Sequence, residues 1–215
     1  MSATNVQEPA VASSGTRIEE ADIAVAEKLG QYESHPAVRG AGALSEIADQ
    51  APLFVLCGTV LTIGMISGRP KAFSAGLRMV ASVAVATAVK SSIKKLVSRS
   101  RPHVVLHSGR YELGPLGPSG GDWHSFPSGH TAGAVSAARG LTRVIPQARG
   151  VAYFGAAAIA AVQVPRAKHY PLDLAGGALI GIAAEAVVNR SFAYLTSRLS
   201  PSRVRDGGDL AQTRR

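Results

Sequence analysis

The chain has 215 residues, room for one domain with terminal tails, and it is 46% hydrophobic but only 17% charged, with a mean hydropathy of +0.14. That balance argues against an ordinary soluble domain and points to the membrane. The formal net charge of +9 would suit nucleic acid, but aromatics are only 5% and the basic residues flank apolar runs instead of forming one stripe, which argues against a nucleic-acid partner.

Residues 1–16 are small and polar and are expected to form a disordered tail. Residues 17–50 alternate acids with Ile, Val, Ala and Leu in a loosely helical pattern, which predicts an amphipathic surface helix. The first 50 residues hold three cations (Arg17, Lys28, Arg39) against eight carboxylates. No basic start followed by an apolar stretch is present there, so no cleaved signal peptide is expected. From Ala51 the run "APLFVLCGTVLTIGMIS" is uncharged, and its lone Cys57, without a disulfide partner, reads as a small buried hydrophobe. A second run, 72–89, carries only Arg78, and two more follow at about 149–165 and 172–188. Each approaches the ~17–20 residues that cross a bilayer. The run 130–145 is interrupted by Ser136, Arg139, Thr142 and Arg143, which is tolerable where small residues pack closely and a polar face is hidden against neighbours.

The pattern predicts an all-α fold: a transmembrane bundle of about five spanning helices within a domain at 51–195, preceded by the amphipathic segment 17–50 and followed by a basic tail, 196–215. A soluble all-helical core is the alternative. Arg139 and Glu185, both inside apolar runs, are expected to form a structural ion pair.

In a five-helix count Arg69, Lys71, Arg143, Arg149, Arg190, Arg198, Arg203 and Arg205 fall on one side, which the positive-inside rule makes cytoplasmic. The acidic N-terminal segment, the loop 103–127 and the turn 166–171 then face outward. The basic cluster Lys94–Arg101 lies outside as well, against the rule, so its charges need another job. Lys90, Lys95 and Arg99 read as membrane-edge anchors, Tyr111, Trp123 and Tyr170 as an interfacial aromatic belt, and His103, His107 and His124 as loop residues.

Three stretches converge on that outer face: "KKLVSRSRP" (94–102), "FPSGH" (126–130) and "PRAKHYPLD" (165–173). Together they suit a tetrahedral oxyanion, with Lys as a point charge, Arg as a bidentate fork and backbone N–H groups at a helix start. Pro127-Ser128-Gly129 is a turn whose glycine lets backbone approach a ligand and whose serine can donate or cap, with His130 one residue inside the helix. His169 and Asp173 are four apart, with Pro171 suited to a helix first turn, so the carboxylate can reach the imidazole and fix its tautomer. His169 is then a candidate nucleophile and His130 a candidate proton donor to the leaving oxygen, with no metal needed.

These residues resemble the type-2 phosphatidic acid phosphatase superfamily, which also includes the vanadium haloperoxidases. Its pattern is K-x6-R-P, then P-S-G-H, then S-R-x5-H-x3-D. Lys94 and Arg101-Pro102 match the first motif, Pro127-Ser128-Gly129-His130 the second, and His169 with Asp173 the end of the third, over about residues 50–190. The resemblance implies that Lys94, Arg101, Ser128 and Gly129 bind phosphate, that His130 is the general acid, His169 the nucleophile and Asp173 its partner, and that neither a metal nor another cofactor takes part. One departure stands out: Gln163 occupies the arginine position and Val162 the serine position, and Arg166, three residues on, is the candidate substitute. The family's longer members carry six helices; here the segment 17–48 stands in place of the first.

The implied function is an integral membrane lipid phosphatase, multi-pass in the cell membrane with its site at the outer face. It would hydrolyse a phosphomonoester or pyrophosphate of a lipid through a phosphohistidine, the candidates being isoprenyl phosphate or pyrophosphate, phosphatidate, phosphatidylglycerol phosphate and a phosphorylated sugar lipid. The Gly- and Pro-rich loop 103–126 is expected to act as a lid. Gln163 keeps open a second reading, a degenerate, non-catalytic membrane protein that binds anionic lipids in the same cradle. A vanadate-dependent haloperoxidase is the third.

Overall fold

The computed structural model describes residues 16–118 and 120–199. The tail expected at 1–16 therefore lies outside the described residues except for Thr16, as does the basic tail beyond residue 199.

Local chemistry accounts for the element boundaries. Helix α1 (Arg17–Gly30) starts at Thr16, whose Oγ1 accepts the Glu19 N–H at 3.3 Å, with Glu19 and Glu20 in the positive first turn. Helix α2 (Pro36–Ser45) opens on a proline, whose missing N–H costs nothing there. A 3-10 turn, Glu46–Ala48, joins it to α3 (Gln50–Ile66) at a bend of 57°. After α4 (Pro70–Leu96) come β1 (Val97–Arg99) and α5 (Pro102–Ser108), which stops at Gly109 in the left-handed region, φ 66°. Strand β2 (Leu113–Pro115) pairs antiparallel with β1, Val97 opposite Pro115. Helices α6 (Gly129–Val144), α7 (Arg149–Val162) and α8 (Pro171–Leu199) complete the chain.

The fold is helical, as the sequence predicts, and α3, α4, α6, α7 and α8 form the bundle. A three-residue strand pair and α5 give structure to the loop expected as a lid. Helices α4 and α8, of 27 and 29 residues, are long and apolar enough to cross a membrane alone. The bent pair 36–48 and 50–66 reaches that standard only if taken as one span. At 16 and 14 residues, α6 and α7 are about 24 and 21 Å long, short of a ~30 Å hydrocarbon core. The polar interruptions of α6 have a packing reason: it lies against α3, α4, α7 and α8, so Ser136 and Thr142 are buried in protein and not turned to lipid.

Side-chain size runs opposite to a soluble core. Ala75, Ala86, Ala132, Ala137 and Ala184 are buried, while Val55, Ile66, Phe154 and Leu179 are exposed on the outer faces of their helices. Lipid tails are as apolar as leucine, so helices gain by close backbone packing through small residues and leave the large ones to the bilayer. Gly177 on α8 shows how close: a Cβ there would lie 2.5 Å from the Ser128 carbonyl oxygen at the start of α6. Cys57 is buried with Leu53, Met79, Val83 and Ala137, as its sequence context predicts.

Glu185 on α8 accepts from two arginines of α6, Arg139 Nη2 at 2.9 Å and Arg143 Nε at 2.8 Å, so the expected pair is a triad. The Glu185 side chain is 2% exposed, whereas the Arg139 and Arg143 side chains are 24% and 47% exposed. Removing both arginines strands a buried carboxylate, so Arg139→Ala/Arg143→Ala is expected to cost about 3–5 kcal/mol, and Glu185→Gln, which frees only half-exposed cations, less. Thermal unfolding in detergent ranks the two variants; the opposite order would show that these arginines do not hold the carboxylate.

Candidate active site

Backbone and side-chain hydrogen bonds tie the three motifs together at one end of the bundle. Lys94, in the last turn of α4, donates from Nζ to the His124 carbonyl at 2.7 Å, so the first motif holds the segment leading into the second. Arg101 is the residue before α5, with its N–H on the Asp122 carbonyl at 2.8 Å. Ser128 caps α6: its Oγ accepts from the Thr131 N–H at 3.4 Å and the Thr131 hydroxyl at 3.0 Å, which leaves its own proton to donate. The Gly129 and His130 N–H groups belong to the open first turn, where a helix presents unpaired donors and positive potential. The Ser128 N–H donates to the Asp173 carbonyl at 3.0 Å, joining the second motif to the third.

His169, 3% exposed, lies between α7 and α8 with Nδ1 3.6 Å from Asp173 Oδ2. That is within ion-pair distance but too long for a hydrogen bond. The reason is that Asp173 is already engaged: Oδ2 accepts from Ser125 Oγ at 2.6 Å and the Tyr170 N–H at 2.9 Å, and Oδ1 accepts from Arg99 Nη1 at 2.8 Å.

Arg99 corrects the sequence reading. Expected at the membrane edge, it is 4% exposed and bridges two carboxylates, Asp173 and, through Nη2 at 2.7 Å, Asp22 of α1. A guanidinium so enclosed is bound by its partners and is not an anchor. Burial works against its charge, but Asp173, Asp22 and Tyr111 outweigh that and hold it protonated more firmly than usual. Tyr111 and Tyr170 are corrected with it. Tyr170 is 0% exposed, its ring lies under the Arg99 guanidinium at 4.0 Å and it meets Tyr111 edge-on, so these rings pack around a buried cation instead of forming an interfacial belt. Tyr111 donates to Glu19 Oε1 at 2.5 Å. The segment read as a surface helix thus supplies Asp22 and Glu19 to the wall of the site. Trp123 is half-buried in a 3-10 turn, and His103 ties that turn to the third motif, with Nε2 3.2 Å from Asp122 Oδ1 and Nδ1 3.3 Å from the Ala167 carbonyl.

Buried side-chain nitrogens without partners collect here. Among the described residues six buried side-chain atoms lack a hydrogen-bond partner, and three of them are Arg101 Nε, His130 Nε2 and His169 Nδ1. Two of the three face carboxylates beyond hydrogen-bond distance, His130 Nε2 at 3.6 Å from Glu46 Oε2 and His169 Nδ1 at 3.6 Å from Asp173 Oδ2, whereas Arg101 Nε has no such partner and carries its desolvation cost in full. Burial is the main force that pushes the His169 imidazole down to about 4, with Arg101 and Lys94 adding to it and Asp173 opposing. The His124 imidazole is lowered as well, by burial and then by Lys94 and Arg101.

A family model described as the PAP2 superfamily matches residues 75–197. The chain belongs to the PAP2 superfamily. Two crystal structures share its fold. LpxE from Aquifex aeolicus superimposes with a TM-score of 0.58 at 22% identity, covering 78% of this chain and 94% of that one. The first transmembrane PAP2-type phosphatidylglycerolphosphate phosphatase from Bacillus subtilis gives 0.55 at 20%, covering 91% and 94%. Among curated proteins none matches the sequence. Membership and the two bilayer-length helices make the protein a membrane hydrolase of the phosphatase type.

The departure from the PAP2 pattern has a visible structural use. Gln163, 1% exposed, donates from Nε2 to Ser45 Oγ and to the Ile159 carbonyl, both at 3.1 Å, so it fastens the end of α7 to α2. Arg166 lies beside it, with Nη1 on Ser45 Oγ at 2.9 Å and Nη2 on Glu46 Oε1 at 2.6 Å. The other oxygen of Glu46 is 3.6 Å from His130 Nε2, so one carboxylate spans the Arg166 guanidinium and the second-motif histidine. Lys90, read as an anchor, is half-buried with Nζ 3.0 Å from where a Cβ on Gly129 would stand. No sequence motif marks Asp22, Ser125 or Glu46. Ser125 could have been noticed only for lying two residues before the P-S-G-H turn.

Arg99→Leu leaves Asp22 and Asp173 buried without their cation and is expected to cost about 3–5 kcal/mol. Asp22→Asn keeps the Asp173 contact and should cost about 1–3 kcal/mol. Thermal unfolding in detergent decides; an Arg99→Leu protein as stable as the wild type would refute the bridge.

Proposed function

We propose that the protein hydrolyses a phosphate ester or anhydride of a membrane lipid, with His169 as nucleophile, His130 as general acid, and Lys94, Arg101, Ser128, Gly129 and Arg166 binding phosphate. The observation that carries this is the gathering of Lys94 and Arg101, whose buried Nε has no partner, beside His169 and the start of α6 that bears His130. Catalysis would begin with in-line attack of His169 on the substrate phosphorus. The bond to the leaving oxygen breaks as His130 supplies its proton. Water then attacks the phosphohistidine, gives a proton back to His130 and releases inorganic phosphate. Asp173, 3.6 Å from Nδ1, favours the imidazolium that forms on attack, while Lys94, Arg101 and the start of α6 stabilise charge on the equatorial oxygens. Candidate lipids remain an isoprenyl phosphate or pyrophosphate, phosphatidate, phosphatidylglycerol phosphate and a phosphorylated sugar lipid.

Orientation follows from charge. Arg69, Lys71, Arg143 and Arg149 lie at the end of the bundle away from the motifs, so a cytoplasmic placement of those cations puts the site on the outer face of a multi-pass protein.

Detergent-purified protein is expected to release phosphate from at least one of these lipids in the presence of EDTA, and His169→Ala to lose at least about 10³-fold in kcat, as loss of a nucleophile does. A folded wild type silent on the whole panel would refute hydrolysis. Gln163 favours the lipid-binding alternative to the extent that the PAP2 arginine is missing. That reading requires anionic-lipid binding without turnover, and turnover abolished in His169→Ala would exclude it.

The pH profile tests the nucleophile separately. Only neutral imidazole attacks, and His169 is held at about 4, so kcat/KM should stay level on acidification through 6.5 and fall only as pH approaches 4. An acid limb near 6.5 would count against His169 in this role.

A further inference from the structure

Beside the motifs lies a second feature, a water-open cavity of about 440 Å³ between α1, α2 and the α7–α8 turn, lined by Glu33, Ser34, Arg39, Ala43, Arg166 and Lys168. Three of these are cations. Glu33, the acidic wall residue, is 3.6 Å from His107 Nε2. Among the described residues no carboxylate lies within salt-bridge distance of Arg39 or Lys168, although the segment carrying Arg39 is rich in acids. Arg166 is held flat on α2 because position 42 is glycine: a Cβ there would be 2.7 Å from its Nε. The cavity is thus a pre-formed basic recess, large enough for a phosphate with its water.

Its position relative to the chemistry is set by Glu46, whose two oxygens lie 2.6 Å from Arg166 Nη2 and 3.6 Å from His130 Nε2. In the proposed mechanism His130 protonates the leaving oxygen, so the cavity lies on the leaving-group side of the reacting phosphorus. A lipid monoester would present an alkyl chain there, which three cations do not recognise. We propose that the recess binds a second phosphate of the substrate, the one that remains on the lipid, so that the preferred class is a lipid diphosphate. This rests on the hydrolase reading above. The bonds balance: His169 forms a P–N bond with the terminal phosphorus as the bond between that phosphorus and the bridging oxygen breaks. The electron pair stays on the bridging oxygen, which takes the proton of His130, and water cleaves the P–N bond to give inorganic phosphate and a lipid monophosphate. Arg39 and Lys168, which have no carboxylate partner among the described residues, neutralise the lipid-linked phosphate as it leaves.

The test uses Arg39→Gln/Lys168→Met, which leaves Lys94, Arg101, His130 and His169 in place, assayed on a diphosphate and a monophosphate of one isoprenoid chain. Wild-type kcat/KM should favour the diphosphate by about 10-fold or more, the size of one charge-assisted contact. The double variant should lose most of that preference and keep its rate on the monophosphate within about twofold, since its contacts are all to the second phosphate. An equal loss on both substrates, no loss on either, or a wild type that prefers the monophosphate would each overturn the proposal. If the wild type hydrolyses neither, the full lipid panel decides the hydrolase reading and a binding arm decides this one. Titrated with inorganic pyrophosphate and inorganic phosphate, His169→Ala should bind pyrophosphate at least about 10-fold tighter and lose that difference when the two recess cations are removed. Equal affinity for the two anions would overturn it.

Discussion

A guanidinium with 4% exposure cannot remain charged in a protein interior unless carboxylates meet it, and much of the site follows from how Arg99 is met. Asp173 takes one nitrogen and Asp22 the other, so the first-motif strand, the first turn of α8 and the N-terminal helix are held by one cation. The arrangement closes on itself. Asp22 Oδ1 also accepts the Leu172 N–H at 2.8 Å, next to Asp173, so α1 touches both the cation and the helix start that the cation holds. Each member is costly without the others, which makes the cluster cooperative. The acidity of the first 50 residues is explained in part here: the segment supplies countercharge to a basic site that the bilayer cannot supply.

Packing among the helices acts on the same place from below. In lipid the helices gain little from burying large side chains against each other, so small residues bring backbones together and fix the distances between elements that carry site groups. Gly177 and the Ser128 carbonyl are in contact, and the Ser128 N–H donates to the Asp173 carbonyl one helical turn earlier on α8. Two backbone contacts between α6 and α8 therefore set where the cap serine stands relative to the third motif. The helix least suited to lipid, α6, is the one that most needs protein on all sides, and its position against four neighbours is also what presents its first turn to the site.

What the sequence made legible was whatever depends on short spacing. The i,i+4 step from His169 to Asp173, the cap at Ser128, the helical runs and the buried Cys57 are all local, and neighbours in sequence determine them. Arg99 was misread because its second carboxylate is 77 residues away, on a segment with no motif, and a basic residue after an apolar helix is ordinarily an anchor. Tyr170 was misread for the same reason: its place beside a buried cation exists only once α1 has docked. Even the His169–Asp173 relation was only half legible. Spacing predicts that the two approach, whereas the length of 3.6 Å depends on Ser125, Arg99 and the Tyr170 N–H occupying the carboxylate first.

The missing PAP2 arginine changes how charge is distributed around the start of α6. Gln163 is turned to Ser45 and Ile159, so its position has become part of the joint between α7 and α2, and Arg166 is neutralised by Glu46 on the His130 side. The cations left facing the start of α6 are Lys94 and Arg101, with Lys90 one turn before Lys94 and beside Gly129. They stand together at the positive end of a helix, with Asp173, whose oxygens are already engaged, as the nearby carboxylate of the motifs. Like charges held this way repel one another, and the helix end adds to the repulsion. An anion placed among them removes that repulsion and gives the buried Arg101 Nε a partner. Affinity for phosphate in the proposed reading therefore comes as much from relief of that repulsion as from any single contact, and an arginine lost at position 163 need not leave the site weak.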